Sequence, residues 1–163
     1  MAVDTNINQF KQGRAVGDLD LNFFGGASTI SCRYSPNGTG NLVAGEAVKL
    51  VDLGANDVVG PPIIDKRAGD TTALYGIVIR SLKQATFAPG AIVEIAVEGS
   101  VMFLRATAAL ARGVKVSAVK VTSGNIQAIG TKAYLGYTLD KAVNASDIVR
   151  VFIKADAVTA GTT

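Results

Sequence analysis

Histidine is absent from this 163-residue chain, tryptophan is absent too, and there is a single cysteine, Cys32. Each absence removes chemistry. Without histidine the commonest general base, most nucleophile–base pairs and most zinc sites are gone. Cys32 has neither a histidine to activate it nor a second thiol to bridge, so it reads as a small buried strand residue. A lone cysteine also agrees with a reducing compartment. No apolar run approaches the roughly 20 residues of a membrane helix. The polar stretch AVDTNINQ after Met1 is not a signal peptide, so the expectation is a soluble chain synthesised in a host cytoplasm.

What is present is small and apolar. Hydrophobic residues, mostly alanine and valine, make up 48% and aromatics only 6%, and there are 18 glycines besides. That mixture suits thin, tightly turned strands. Net charge is +3 but unevenly placed: residues 101–154 hold eight Lys/Arg against two acids, and residues 41–100 hold five against seven. The later half therefore either faces an acidic partner or simply has solvated strand faces.

Organisation falls into three parts. Residues 1–26, rich in Asn, Gly and Asp, read as an extended N-terminal arm broken at Gly25 and Gly26. Residues 27–156 read as a β-barrel or sandwich domain, and residues 157–163 as a flexible tail. Within the domain, turn signals recur at the spacing of short strands. Residues 91–98 alternate, with Val93, Ile95 and Val97 on one side and Glu94 and Glu98 on the other. Residues 147–154 do the same, placing Val149, Val151 and Ile153 inward and Arg150, Phe152 and Lys154 outward. Further strands are expected over 27–33, 46–51, 74–80, 101–105, 114–121 and 134–140. The one helical hint is a single turn at 107–111, stopped by Gly113.

A weak internal repeat runs through the domain. Gly-x-x-Val opens strands at Gly45, Gly90 and Gly113. Ala-x-x-Gly-x-x-Ile/Leu occurs as ALYGIVI from Ala73 and AYLGYTL from Ala133. The order of Gly turn, strand and Ala-x-x-Gly strand thus appears twice, from Gly45 to Ile79 and from Gly113 to Leu139. Two similar β-units packed as a small barrel or sandwich account for it. Residues 52–72 lack periodicity, and a loop that long in a small domain usually has a task. It is expected to project as a contact loop stiffened by Pro61 and Pro62, with Ile63 and Ile64 contributing apolar contact; a two-stranded excursion is the alternative.

No constellation for catalysis emerges. Glu94 and Glu98 lie about 13 Å apart along a strand, too far for a catalytic pair. Asp65 and Asp70 around Lys66 and Arg67 suit a salt-bridged loop better than a cation site. Gly38-Thr39-Gly40 never completes a phosphate-binding fingerprint. Tyr134, Tyr137, Arg105 and Lys132 fall short of the interleaved basic and aromatic face that nucleic acid requires. The chain is expected not to be an enzyme, to need no cofactor or metal, and to bind neither membrane nor specific nucleic acid.

With these motifs laid out, LVAGEAVKLVD, ALYGIVIR, FAPGAIVEIAVEGSV, LARGVKV and LGYTLDKAVNASDIVRVFI together resemble small capsid decoration, or cement, proteins of tailed bacteriophages. The resemblance covers about residues 42–154 and lies in the order of elements. It implies an all-β, barrel or jelly-roll-like domain on the outer surface of a phage head. Such a domain would be a homo-oligomer, trimer favoured over dimer, that binds the major capsid protein and clamps adjacent capsomers. Val3, Ile7, Phe10, Phe23 and Phe24 are spaced apolar anchors in the polar arm and the expected partner contacts; Phe23 and Phe24 packing back on their own barrel is the alternative. Outward-pointing Phe152 is expected to need a partner's cover. Rival readings are a tail-tube or head–tail joining subunit, or a carbohydrate- or nucleic-acid-binding β module.

Overall fold

The computed structural model describes residues 15–20, 27–51 and 60–155. Twelve strands and no helix occur among them: β1 (Thr29–Tyr34), β2 (Leu42–Val43), β3 (Ala47–Leu50), β4 (Ile63–Lys66), β5 (Gly76–Val78), β6 (Thr86–Phe87), β7 (Ile92–Ala96), β8 (Val101–Ala106), β9 (Lys115–Ala118), β10 (Asn125–Ala128), β11 (Gly136–Thr138) and β12 (Ile148–Ile153). Ten of these close into two five-stranded barrels, in the orders β1-β4-β3-β5-β7 and β10-β8-β12-β11-β9. Short strands close at small radius, and the Val/Ala/Gly composition supplies side chains thin enough to fill such an interior.

The two barrels share one topology. β1 runs parallel to β4 and antiparallel to β7; β8 runs parallel to β10 and antiparallel to β12. β3 pairs β4 and β5, as β9 pairs β10 and β11. Matching the registers sets Arg33 with Arg105, Val48 with Val116, Ile64 with Ile126, Gly76 with Gly136 and Ile92 with Ile148. Even the turn bonds repeat. Gly45 N–H donates to Val78 O at 2.8 Å, and Gly113 N–H to Thr138 O at 2.8 Å. Gly90 and Ser146 hold the same turn position, both with left-handed φ, at 86° and 76°.

The β2–β6 ladder, Leu42 opposite Phe87, has its counterpart in a two-way bridge between Leu110 and Ala142. That bridge corrects the helical hint at residues 107–111: Leu110 commits its backbone to Ala142 at 3.0 and 2.9 Å, leaving nothing for a helical turn.

Inward faces follow the alternation: Val93 and Ile95 are buried on β7, and Val149, Val151 and Ile153 on β12. One cluster, including Cys32, Tyr34, Val48, Ile64 and Ile95, lies within the first barrel. The other joins Ala47, Leu74, Ile77 and Ala96 of the first to Met102, Leu104, Ile126 and Val151 of the second, so the barrels share apolar packing. Between them sits Arg67, 2% exposed. Its guanidinium donates to the carbonyls of Thr72 (3.1 Å), Ala118 (3.2 Å) and Asp70 (2.6 Å). Asp70 returns the contact, accepting from Lys120 N–H at 2.7 Å and Gln127 Nε2 at 2.9 Å. Of the segment 52–72, residues 52–59 lie outside the described residues; residues 60–72 contribute β4 and the polar tie between barrels.

Ahead of β1, residues 15–20 lie along β8. Leu19 bridges Met102, Gly17 N–H donates to Phe103 O, Phe103 N–H to Asp18 O, and Asp20 N–H to Val101 O. Asp18 meets Arg80 at 3.3 Å and Asp20 meets Arg150 at 3.5 Å. This part of the N-terminal arm is bonded to the second barrel.

Candidate docking surface

The arm residues Val3, Ile7, Phe10, Phe23 and Phe24 lie outside the described residues. Of the four loop residues, Pro61 is exposed and Pro62 and Ile63 are half-buried. Ile64 is fully buried in the first barrel's core. Pro61 is thus presented outward, Pro62 and Ile63 in part, and Ile64 is given wholly to the core. Sequence pattern concealed this because IIDK is too short to display an alternation.

Phe152 differs from expectation. It is half-buried and stacks on Tyr137 of β11, ring centroids 5.3 Å apart and planes 26° apart, so its cover comes from within the chain. Tyr134 lies 5.8 Å from the Lys115 ammonium. The aromatics of the second barrel are therefore engaged with their own neighbours.

Charge is the clearest outward feature. Around the second barrel Arg105, Arg112, Lys115, Lys120, Lys141 and Lys154 are exposed and make no ion pair among the described residues. The nearby acids are occupied: Asp140 binds Arg150 at 2.7 Å, and Asp147 accepts the N–H groups of Val143 and Asn144. Two carboxylates on Arg150 hold its guanidinium pKa above the ordinary arginine value. The second barrel therefore exposes six cations that have no ion pair among the described residues. The first barrel and its loops expose both signs, Glu94 and Glu98 beside Arg33, Arg80 and Lys83.

One outer feature is duplicated. Arg33 stands opposite Ile92 across β1 and β7, and Arg105 opposite Ile148 across β8 and β12. Both arginines are exposed, and Ile92 and Ile148 are 50% and 37% exposed. Each barrel so offers the same cation-plus-aliphatic pair at the same corner. Sequence reading singled out neither isoleucine, because each opens a strand whose inward pattern starts one residue later.

Reactive chemistry is not assembled among the described residues. Cys32 is fully buried, and burial, aided by Glu94, pushes its thiol up to about 11, so it stays a neutral thiol near neutral pH. No group of three or more Cys, Asp or Glu residues able to hold a metal ion occurs there. The cleft beside Val16, Arg80 and Leu82, about 330 Å³, has no acid–base pair in its lining.

Compared with known protein families, residues 20–154 match the family described as structural cement protein (E217 gp24/Pam3 gp6). No curated protein matches the chain.

Proposed function

Since the chain belongs to the phage structural cement protein family and is thus a structural virion protein, we propose that it binds the outer surface of a phage head and stabilises the shell by clamping adjacent capsomers. The observation that carries this reading is the duplication. Two barrels of one topology present the same Arg–Ile corner twice, at Arg33/Ile92 and Arg105/Ile148. A single rigid chain can therefore meet two like surfaces, which is what a bridge between neighbouring shell subunits requires. Modest contacts at each corner multiply through effective concentration. The exposed cations of the second barrel favour an acidic shell surface and speed encounter with it.

Other parts of the proposal extend the same logic. The major capsid protein is the partner, and a homo-oligomer, trimer favoured over dimer, multiplies the corners available. Val3, Ile7, Phe10, Phe23 and Phe24 add apolar anchoring from the arm, and Pro61 and Pro62 add a stiff contact at the barrel corner. The chain is synthesised in the host cytoplasm, acts without catalysis or cofactor, and needs neither membrane nor specific nucleic acid.

The test is occupancy of the purified protein on phage heads lacking their own copy, followed by electron microscopy and heat challenge. Saturable outer-surface density, heads that rupture at higher temperature, and weaker binding in added salt are expected. Arg33→Glu and Arg105→Glu should lower occupancy to similar degrees. Absence of head binding, or density confined to tails, would overturn the proposal.

A further inference from the structure

Among the described residues the barrels differ at one edge: the second carries an added strand there and the first does not. In the β1–β7 ladder, Tyr34 N–H donates to Ala91 O at 2.8 Å and Val97 N–H to Ser28 O at 3.0 Å. In an antiparallel pair hydrogen-bonded positions alternate, so Ser28, Ile30, Cys32 and Tyr34 bond β7. Thr29, Ser31 and Arg33 aim their backbone groups at the opposite edge. There β4 satisfies Arg33, whose N–H donates to Pro62 O at 2.9 Å. The parallel ladder stops at that point, because the next donor in register would be Pro62, which has no N–H. The N–H and C=O of Ser31 and the C=O of Thr29 are left without a protein partner among the described residues, and both side chains are exposed.

The second barrel shows what fills this edge. Val101 and Phe103 match Thr29 and Ser31 by register. Their groups bond residues 17–20: Gly17 N–H to Phe103 O at 3.0 Å, Phe103 N–H to Asp18 O at 2.9 Å, and Asp20 N–H to Val101 O at 2.8 Å. The added segment is fixed by charge as well, through Asp20 on Arg150. Arg150 matches Glu94 of the first barrel. A second copy of residues 15–20 would bring Asp20 against Glu94, like against like. The strand that fits carries a cation at that place.

We infer that the β1 edge at residues 29–31 takes up an extended segment of a shell subunit by β-augmentation, with a Lys or Arg of that segment set against Glu94. This rests on the head-binding reading above and names where the shell is gripped. Backbone bonding gives the hold, and Glu94 selects the sign of the incoming side chain. An edge with no strand partner among the described residues is also a hazard for unspecific pairing; a partner that covers it on assembly removes the hazard.

The experiment is hydrogen exchange at the Ser31 amide, free and on heads lacking their own copy, with occupancy of three variants measured alongside. In the free protein Ser31 should exchange rapidly, and head binding should slow it by about tenfold or more. Ser31→Pro, which removes that N–H together with the hydroxyl that donates to Glu94, should lose most head occupancy while keeping its melting temperature. Ser31→Ala, which removes the hydroxyl alone and so separates the two losses, should bind nearly as the parent does, and Glu94→Lys should bind poorly. Parent protein that occupies heads with Ser31 still exchanging rapidly would overturn this inference and leave the head-binding reading standing. Ser31 protected in the free protein would overturn it too, in favour of a second copy where protection fades on dilution and of the chain itself where it does not. Parent protein that fails to occupy heads would overturn both readings together.

Discussion

Two glycines and one arginine set limits that no neighbouring residue can relax. Gly76 and Gly136 hold the same place in the two barrels, and a Cβ there would stand 2.4 Å from Ala96 O and 1.9 Å from Phe152 O. Both obstacles are backbone carbonyls of the adjacent strand, which cannot swing away. Gly76→Ala and Gly136→Ala should each destabilise by about 1–3 kcal/mol or more, read as a lower denaturant midpoint. Gly69→Ala, with open space around it, should be close to neutral. This pair was legible in the sequence as the repeated Ala-x-x-Gly, though only the register shows that the requirement is strand approach. Arg67 was not legible, because a charged residue among Asp65, Lys66 and Asp70 suggests a solvated loop. Its three carbonyl acceptors lie in residues 70–72 and at Ala118, and only the fold brings the last of them near. Arg67→Lys should cost about 3 kcal/mol, since a lone ammonium cannot span three acceptors fixed for a planar fork. Equilibrium denaturation of the two proteins measures it.

Among the elements, alternation was the reliable signal where strands were long enough to display it. β7 and β12 follow the pattern of residues 91–98 and 147–154 closely, and the double β-unit inferred from Gly45 and Gly113 is present, although each unit closes into a barrel of its own rather than the two forming one barrel or sandwich. β2 and β6 are two residues each, and β10 reads Asn-Ile-Gln-Ala, with one core side chain, Ile126. Such pieces have no period to detect, and long-range pairing alone defines them. The same holds for residues 15–20, whose polar Gly-Asp-Leu-Asp sequence suggests an arm although it bonds β8. Truncation separates the two parts of that arm. Removing residues 1–14 should leave the melting temperature nearly unchanged. Removing residues 1–20 should lower it by several degrees, because it strips three backbone bonds from Val101 and Phe103 and leaves Arg150 without Asp20. Equal melting of the two truncated proteins would show that the segment adds nothing to the barrel.

At the scale of the molecule, the barrels should behave as one cooperative body. A core cluster draws on both, and Arg67 as donor and Asp70 as acceptor both reach from the segment after β4 to the second barrel. Calorimetry should therefore give one unfolding transition with matching calorimetric and van 't Hoff enthalpies. Acid ought to act first on the polar tie. The Lys120 backbone N–H, then Gln127 and the charges of Arg67 and Lys132, hold the Asp70 carboxyl below its ordinary value, outweighing the opposing effect of burial. A carboxylate with a lowered folded pKa contributes stability that is fully present above the unfolded value, about 3.9, and is lost as pH falls through the folded one. Stability should thus decline as the pH drops below about 5, and Asp70→Asn should flatten that decline while lowering stability at neutral pH. If Asp70→Asn shifts the whole curve without changing its acid slope, Asp70 is not the group that acid titrates. Two transitions instead of one would show that each barrel stands alone, and the rigid spacing of the Arg33/Ile92 and Arg105/Ile148 corners would then lose its physical basis.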